Sequence, residues 1–100
     1  MIIAEITVVP LGTQTPSVSG YVIRAITELR KLGLEPEITA MGTIFEADDI
    51  SVILEAFKKV HESVFAHGAL RVVTTLTIDE RRDKEGSIDQ KIHSVTSGSV

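Results

Sequence analysis

Apolar and polar positions alternate from Ile2 to Val9, with Ile2, Ala4, Ile6 and Val8 on one face and Ile3, Glu5, Thr7 and Val9 on the other. This two-residue period predicts a strand whose first set is core. The period then changes. Val18, Val22, Ala25, Leu29 and Leu32 recur at helical spacing, with Ile26 beside them and Gly33 as a stop. Thr15 before Pro16 reads as an N-cap followed by proline at the first helical position, so a helix is expected from about 16 to 32. Extended stretches follow over 35–41 and 43–47, the second carrying Glu46. Gly42 between them predicts a sharp reversal through positive φ.

Asp48 or Asp49 is placed to cap the next helix, about 49 to 66. Its buried stripe is Ile53, Phe57, Val60 and Val64, with Ile50 and Leu54 alongside, and Gly68 ends it. In the longest strand, 70–79, Leu70, Val72, Thr74, Leu76 and Ile78 alternate with Arg71, Val73, Thr75, Thr77 and Asp79. After a charged stretch from Glu80 to Glu85, Ser87 and Gln90 fit a capping box for a short last helix. The tail Thr96–Val100 is expected to be loose.

The order βαββαβ with right-handed crossovers predicts an α+β ferredoxin-like plait. Its four-stranded antiparallel sheet has order 4-1-3-2, with two helices on one face and the short C-terminal helix added. The face without helices would carry Ile3, Glu5, Thr7 and Val9 from the first strand and Arg71, Val73, Thr75 and Thr77 from the last. That set is less charged than a solvated face and less apolar than a core. It suits a surface covered by a second sheet, so a homo-oligomer is expected. The long edge strand at 70–79 also needs a cover or a partner.

At 100 residues the chain is expected to form one domain, 1–100. Apolar content of 43% with only 4% aromatics makes the core aliphatic. No cysteine is present, which removes disulfides, thiolate metal sites and cysteine nucleophiles. The net charge of −4 disfavours nucleic acid and suits a neutral or cationic small molecule. No apolar run approaches the ~20 residues of a membrane span. The N-terminus has neither a basic region nor a cleavage site, so the cytoplasm is the expected compartment.

Glu5 and Glu46 are the strand carboxylates most in need of a reason. Either could accept from an amino group and offset a cationic ring. For each taken alone, a salt bridge to Arg71 or Arg82, or exposure at a strand end, is the simpler account. The spacing leaves the face of Glu46 open. Thr13, Gln14, Ser17, Ser19 and Tyr21 gather hydroxyls, an amide and a ring near helix N–H groups, a place for an anion or a polar heterocycle. Capping accounts for Thr15 better than for Gln14 or Tyr21. Gly20 is either a tolerated helical glycine or a point of close approach. His61, His67 and His93 lack metal-ligand spacing and are read as surface or packing residues, with no metal site. Arg81 and Arg82 sit among acids and suit a subunit contact. No serine–histidine–acid or paired-acid arrangement emerges, so no enzyme is expected and no catalytic residue is assigned.

Several segments together resemble a known family. They are Glu5–Thr13, Ser19-Gly20-Tyr21, Met41–Glu46, Arg71–Thr75 and Asp79–Asp83. The chain resembles the small thiamine-binding proteins also called UPF0045 or DUF77. Ala40 stands where that pattern has proline, Ala47 where glycine is common and Glu80 where a second aspartate is common. The resemblance implies a ferredoxin-like subunit assembled as a dimer of dimers that binds thiamine or its hydroxymethylpyrimidine moiety, with no cofactor. The residues expected to line the site are Glu5, Ser19, Tyr21, Thr43 and Glu46. Such a binder would serve vitamin uptake, salvage or buffering. The alternative is a regulatory or scaffolding oligomer that binds another small ligand or a metal ion, since the plait serves many modules.

Overall fold

β1 (Ile2–Leu11) is the spine of the sheet. It pairs antiparallel with β3 (Thr43–Ala47) on one side and β4 (Arg71–Asp79) on the other. β2 (Glu37–Ile38) adds outside β3, which gives the expected order with β2 and β4 as edges. α1 (Ser19–Lys31) and α2 (Ile50–Ala66) connect these strands and pack on each other, and both contact β1. α3 (Ile88–Thr96) follows β4. The architecture is the ferredoxin-like plait with one extra helix. This computed structural model describes residues 1–98.

The alternation in β1 decides the core. Ile2, Ala4 and Ile6 point to the helices, where they meet Leu29, Phe45, Ile53, Ala56 and Val60. Phe45, Ile53 and Ala56 are 0% exposed. Asp49, not Asp48, caps α2, its carboxylate accepting from the Ser51 N–H at 2.7 Å. Ser87 caps α3 by accepting from the Gln90 N–H at 3.1 Å.

Local competition moves several boundaries. α1 starts at Ser19, later than Thr15-Pro16 suggests, and Val18 precedes it without a side-chain cap. The Thr15 hydroxyl accepts from the Ser17 N–H at 3.2 Å, which closes a small turn of its own in place of capping a helix. β2 shrinks from the expected 35–41 to two residues. The Thr39 hydroxyl accepts from the N–H groups of Met41 and Gly42 and donates to the Gly42 carbonyl, which pulls 39–42 out of the ladder. Gly42 is not among the glycines with positive φ, so the predicted reason for it fails. A Cβ there would stand 3.0 Å from Thr7 and 3.1 Å from Glu5, so this glycine serves close approach. The start of the tail expected to be loose is helical. Thr96 still belongs to α3 and Ser97 caps it, while residues 99 and 100 lie outside the described residues.

The face away from α1 and α2 follows the predicted parity. Its rows are Ile3 with Glu46 and Asp79, Glu5 with Ile44 and Thr77, Thr7 with Thr75, Val9 with Val73, and Leu11 with Arg71. The face is not wholly bare, as the sequence suggests. α3 is tied to its first row, with the Glu46 carboxylate accepting from the Ile88 N–H at 3.0 Å and Lys91 paired to Asp79, and a cavity of about 370 Å³ lies between α3 and Ile3.

Candidate functional site

A cleft opens where the first turns of α1, the second half of β1 and the 39–42 turn converge. Its volume is about 160 Å³. Val8, Val18, Val22, Ala25 and Leu29 make an apolar wall, and Thr39 and Thr43 bring hydroxyls. The late start of α1 puts its uncapped first turn, beginning at Ser19, beside Val18 at the mouth. The short β2 leaves the turn free to form the opposite lip.

The hydroxyls are not equivalent. Thr39 is committed to holding its turn. Thr43 is 7% exposed, and its hydroxyl makes no hydrogen bond to any described residue. No fully buried side-chain polar atom among the described residues lacks a partner, so this hydroxyl is not sealed off but open to the cleft. A polar group in the cleft can meet it there.

The residues expected to line a site divide into three places. Thr43 lines the cleft, and Ser19 opens α1 one residue after the lining Val18 without itself being part of the lining. Tyr21 lies on α1 but turns its ring edge-on to His67, with centroids 4.9 Å apart. Glu5 lies on the opposite face of the sheet from Thr43, against Gly42. Glu46 shares that opposite face, at the α3 end, where its carboxylate holds the helix start. The alternation of β3 separates Thr43 from Glu46, an odd number of residues apart. Thr39, Val18 and Val22 escaped sequence reasoning as site residues. The threonine three residues before Gly42 was the available signal for Thr39, since a hydroxyl there can close a turn.

Gly20 is a point of close approach, and its neighbour is a side chain. His67 Nε2 lies 2.9 Å from where a Cβ would stand, so any larger residue must displace that ring. His61 packs likewise, with Nδ1 2.9 Å from the Thr74 hydroxyl and its ring edge-on to Phe65. Arg81 makes a bidentate pair with Asp83, and Arg82 pairs with Glu80. Both pairs are local and exposed. The Arg81 guanidinium holds the Asp83 carboxyl at about 2, below its ordinary 3.8. No helix among the described residues is long and apolar enough to cross a membrane.

The family described as thiamine-binding protein matches residues 4–96. A UPF0045 protein of Methanothermobacter thermautotrophicus is 48% identical over 95 residues, which is 95% of this chain and 96% of the relative. The crystal structure of a hypothetical protein from Methanocaldococcus jannaschii has a TM-score of 0.84 at 42% identity, covering 99% of this chain and 97% of that one. A DUF77 domain from Bacillus cereus has a TM-score of 0.78 at 28% identity, over 91% and 86% of the two chains. The matching family is named for binding and not for a reaction. The chain belongs to this thiamine-binding protein family, the UPF0045 or DUF77 group.

Proposed function

We propose that the protein is a non-enzymatic receptor for thiamine or its hydroxymethylpyrimidine moiety. It works as a homo-oligomer, a dimer of dimers, in uptake, salvage or buffering of the vitamin. The family name supports the ligand class. The observation that carries the reading is Thr43, a largely buried residue whose hydroxyl has no partner among the described residues and is open to an apolar cleft.

The size of the cleft sharpens the reading. At about 160 Å³ it is smaller than the roughly 300 Å³ at which pockets for drug-sized ligands usually begin. One substituted ring fills it, so the pyrimidine enters and the thiazolium stays outside. The valines cover the ring faces, Thr43 bonds a ring nitrogen or the amino group, and Ser19 meets the ring substituent at the mouth. The protein's net charge of −4 favours a cationic second ring in solution.

Titration calorimetry with thiamine and with hydroxymethylpyrimidine tests this. Both are expected to bind at one site per chain. Thr43→Val should weaken both about tenfold, the worth of one hydrogen bond at roughly 1.4 kcal/mol. Folded protein that gives neither heat nor a thermal shift at millimolar ligand ends the proposal.

A further inference from the structure

On the sheet face away from α1 and α2, Glu5 is partly buried in the central strand, between Ile44 and Thr77. Its carboxylate has no hydrogen bond or ion pair with any described residue. The acids of the neighbouring row are settled, Glu46 by the Ile88 N–H and Asp79 by Lys91. The only strand base on this face is Arg71, opposite Leu11 at the far end, and its guanidinium also lacks a partner among the described residues. Between them Val9 is 48% and Val73 50% exposed. Six residues of strand, at ~3.3 Å each, hold Glu5 and Arg71 about 20 Å apart, so they cannot pair within one chain.

A second copy resolves both charges at once. An isologous contact brings residue i of one chain to residue j of its partner and j to i. Take a two-fold axis between stacked sheets, running across the strands midway between the Glu5 and Leu11 levels. It sets each Glu5 level against the partner's Leu11 and Arg71 level. The Thr7 and Thr75 row then meets the partner's Val9 and Val73 row. The same overlap leaves out the Ile3 row, to which α3 is tied through Glu46 and Asp79. The stacking angle of about 30° between sheets is within the reach of an arginine side chain.

We propose that this face docks a second copy of the chain, through two reciprocal ion pairs from Glu5 of one subunit to Arg71 of the other. The inference rests on the homo-oligomer reading above and specifies its register. A carboxylate entering a sheet-on-sheet interface needs a partner, and a bidentate guanidinium satisfies it. The pairs fix orientation and register, and the valine and threonine rows supply the buried area.

Charge reversal tests the pairing. Glu5→Arg and Arg71→Glu should each weaken self-association at least tenfold, read by light scattering over a dilution series. Mixing the two single variants should restore it. In the mixed dimer, arginine at 5 faces glutamate at 71 and native Glu5 faces native Arg71. A contact within one chain, or a merely structural loss, gains nothing from mixing. If Glu5→Arg does not fold, Glu5→Gln and Arg71→Glu carry the test, each checked for folding by circular dichroism. A wild-type protein that assembles while Arg71→Glu assembles equally well overturns the pairing and leaves the oligomer standing. A wild-type protein that stays a single subunit at every concentration overturns both.

Discussion

The two faces of the sheet are built from the same alternating strands, yet they are finished differently. On the helix side Phe45, Ile53 and Ala56 are 0% exposed, and among the described residues no fully buried side-chain polar atom is left unsatisfied. On the other side Val9 and Val73 remain about half exposed, and Glu5 and Arg71 have no partners among the described residues. The first face holds the subunit together. The second leaves valines half exposed and two charges without partners among the described residues. Alternation assigns residues to faces; what covers each face decides which mutations unfold the protein and which, on the proposed assembly, would only separate its copies.

The largest expected effect breaks the first face. Phe45→Ala removes a ring with no exposure and should cost about 3–5 kcal/mol in chemical denaturation. That is a large share of a typical stability of about 5–15 kcal/mol. Val73→Ala on the other face should cost the isolated subunit under about 1 kcal/mol and act mainly on assembly. Measured at a concentration where the protein is a single subunit, equal losses for the two variants would erase the distinction between the faces.

How much of this was legible depends on the range of the forces involved. The element order, sheet order and parity follow from period and caps, and Ile50–Ala66 came out close to the expected 49–66 because Asp49 and Gly68 bound it. The start of α1 did not, because Thr15 has two local uses and the sequence does not rank them. Gly42 showed a need for glycine but not the cause, since Glu5 and Thr7 reach it from a distant strand. Of the residues expected to line a site, Thr43 lies in the cleft. The carboxylates were conspicuous, but β3 alternation put Glu46 on the face opposite Thr43, and α3, from the far end of the chain, claimed it.

A smaller effect sharpens the comparison at the boundary between faces. Glu46→Ala leaves the Ile88 N–H without its acceptor and removes a negative charge from a helix start. The cost is about 1 kcal/mol. It should appear locally, as faster amide exchange in α3 with unchanged protection at Phe45 and Val60. Glu46→Gln keeps an acceptor and should lose less. If α3 protection is unaffected by either change, the carboxylate does not hold the helix, and α3 is tied to its row for some other reason.

The smallest effect belongs to charges that are already paired. Asp83 keeps its proton off down to about 2 because the Arg81 guanidinium bonds the ionised form. Its carboxyl is depressed relative to the unfolded chain, so the unfolded state takes up the proton first as pH falls. The contribution is therefore full above the ordinary 3.8 and lost as pH drops through about 2. The pair is exposed and local, so salt screens it. Asp83→Asn should lower the melting temperature only slightly near neutral pH, less at high salt, and less again as pH falls through about 2. A deficit that did not shrink over that fall would mean that Asp83 acts through packing. The contrast with Glu5 is one of reach. Asp83 finds its arginine two residues away in the same turn, while Glu5 lies about 20 Å along the strands from the only one on its face.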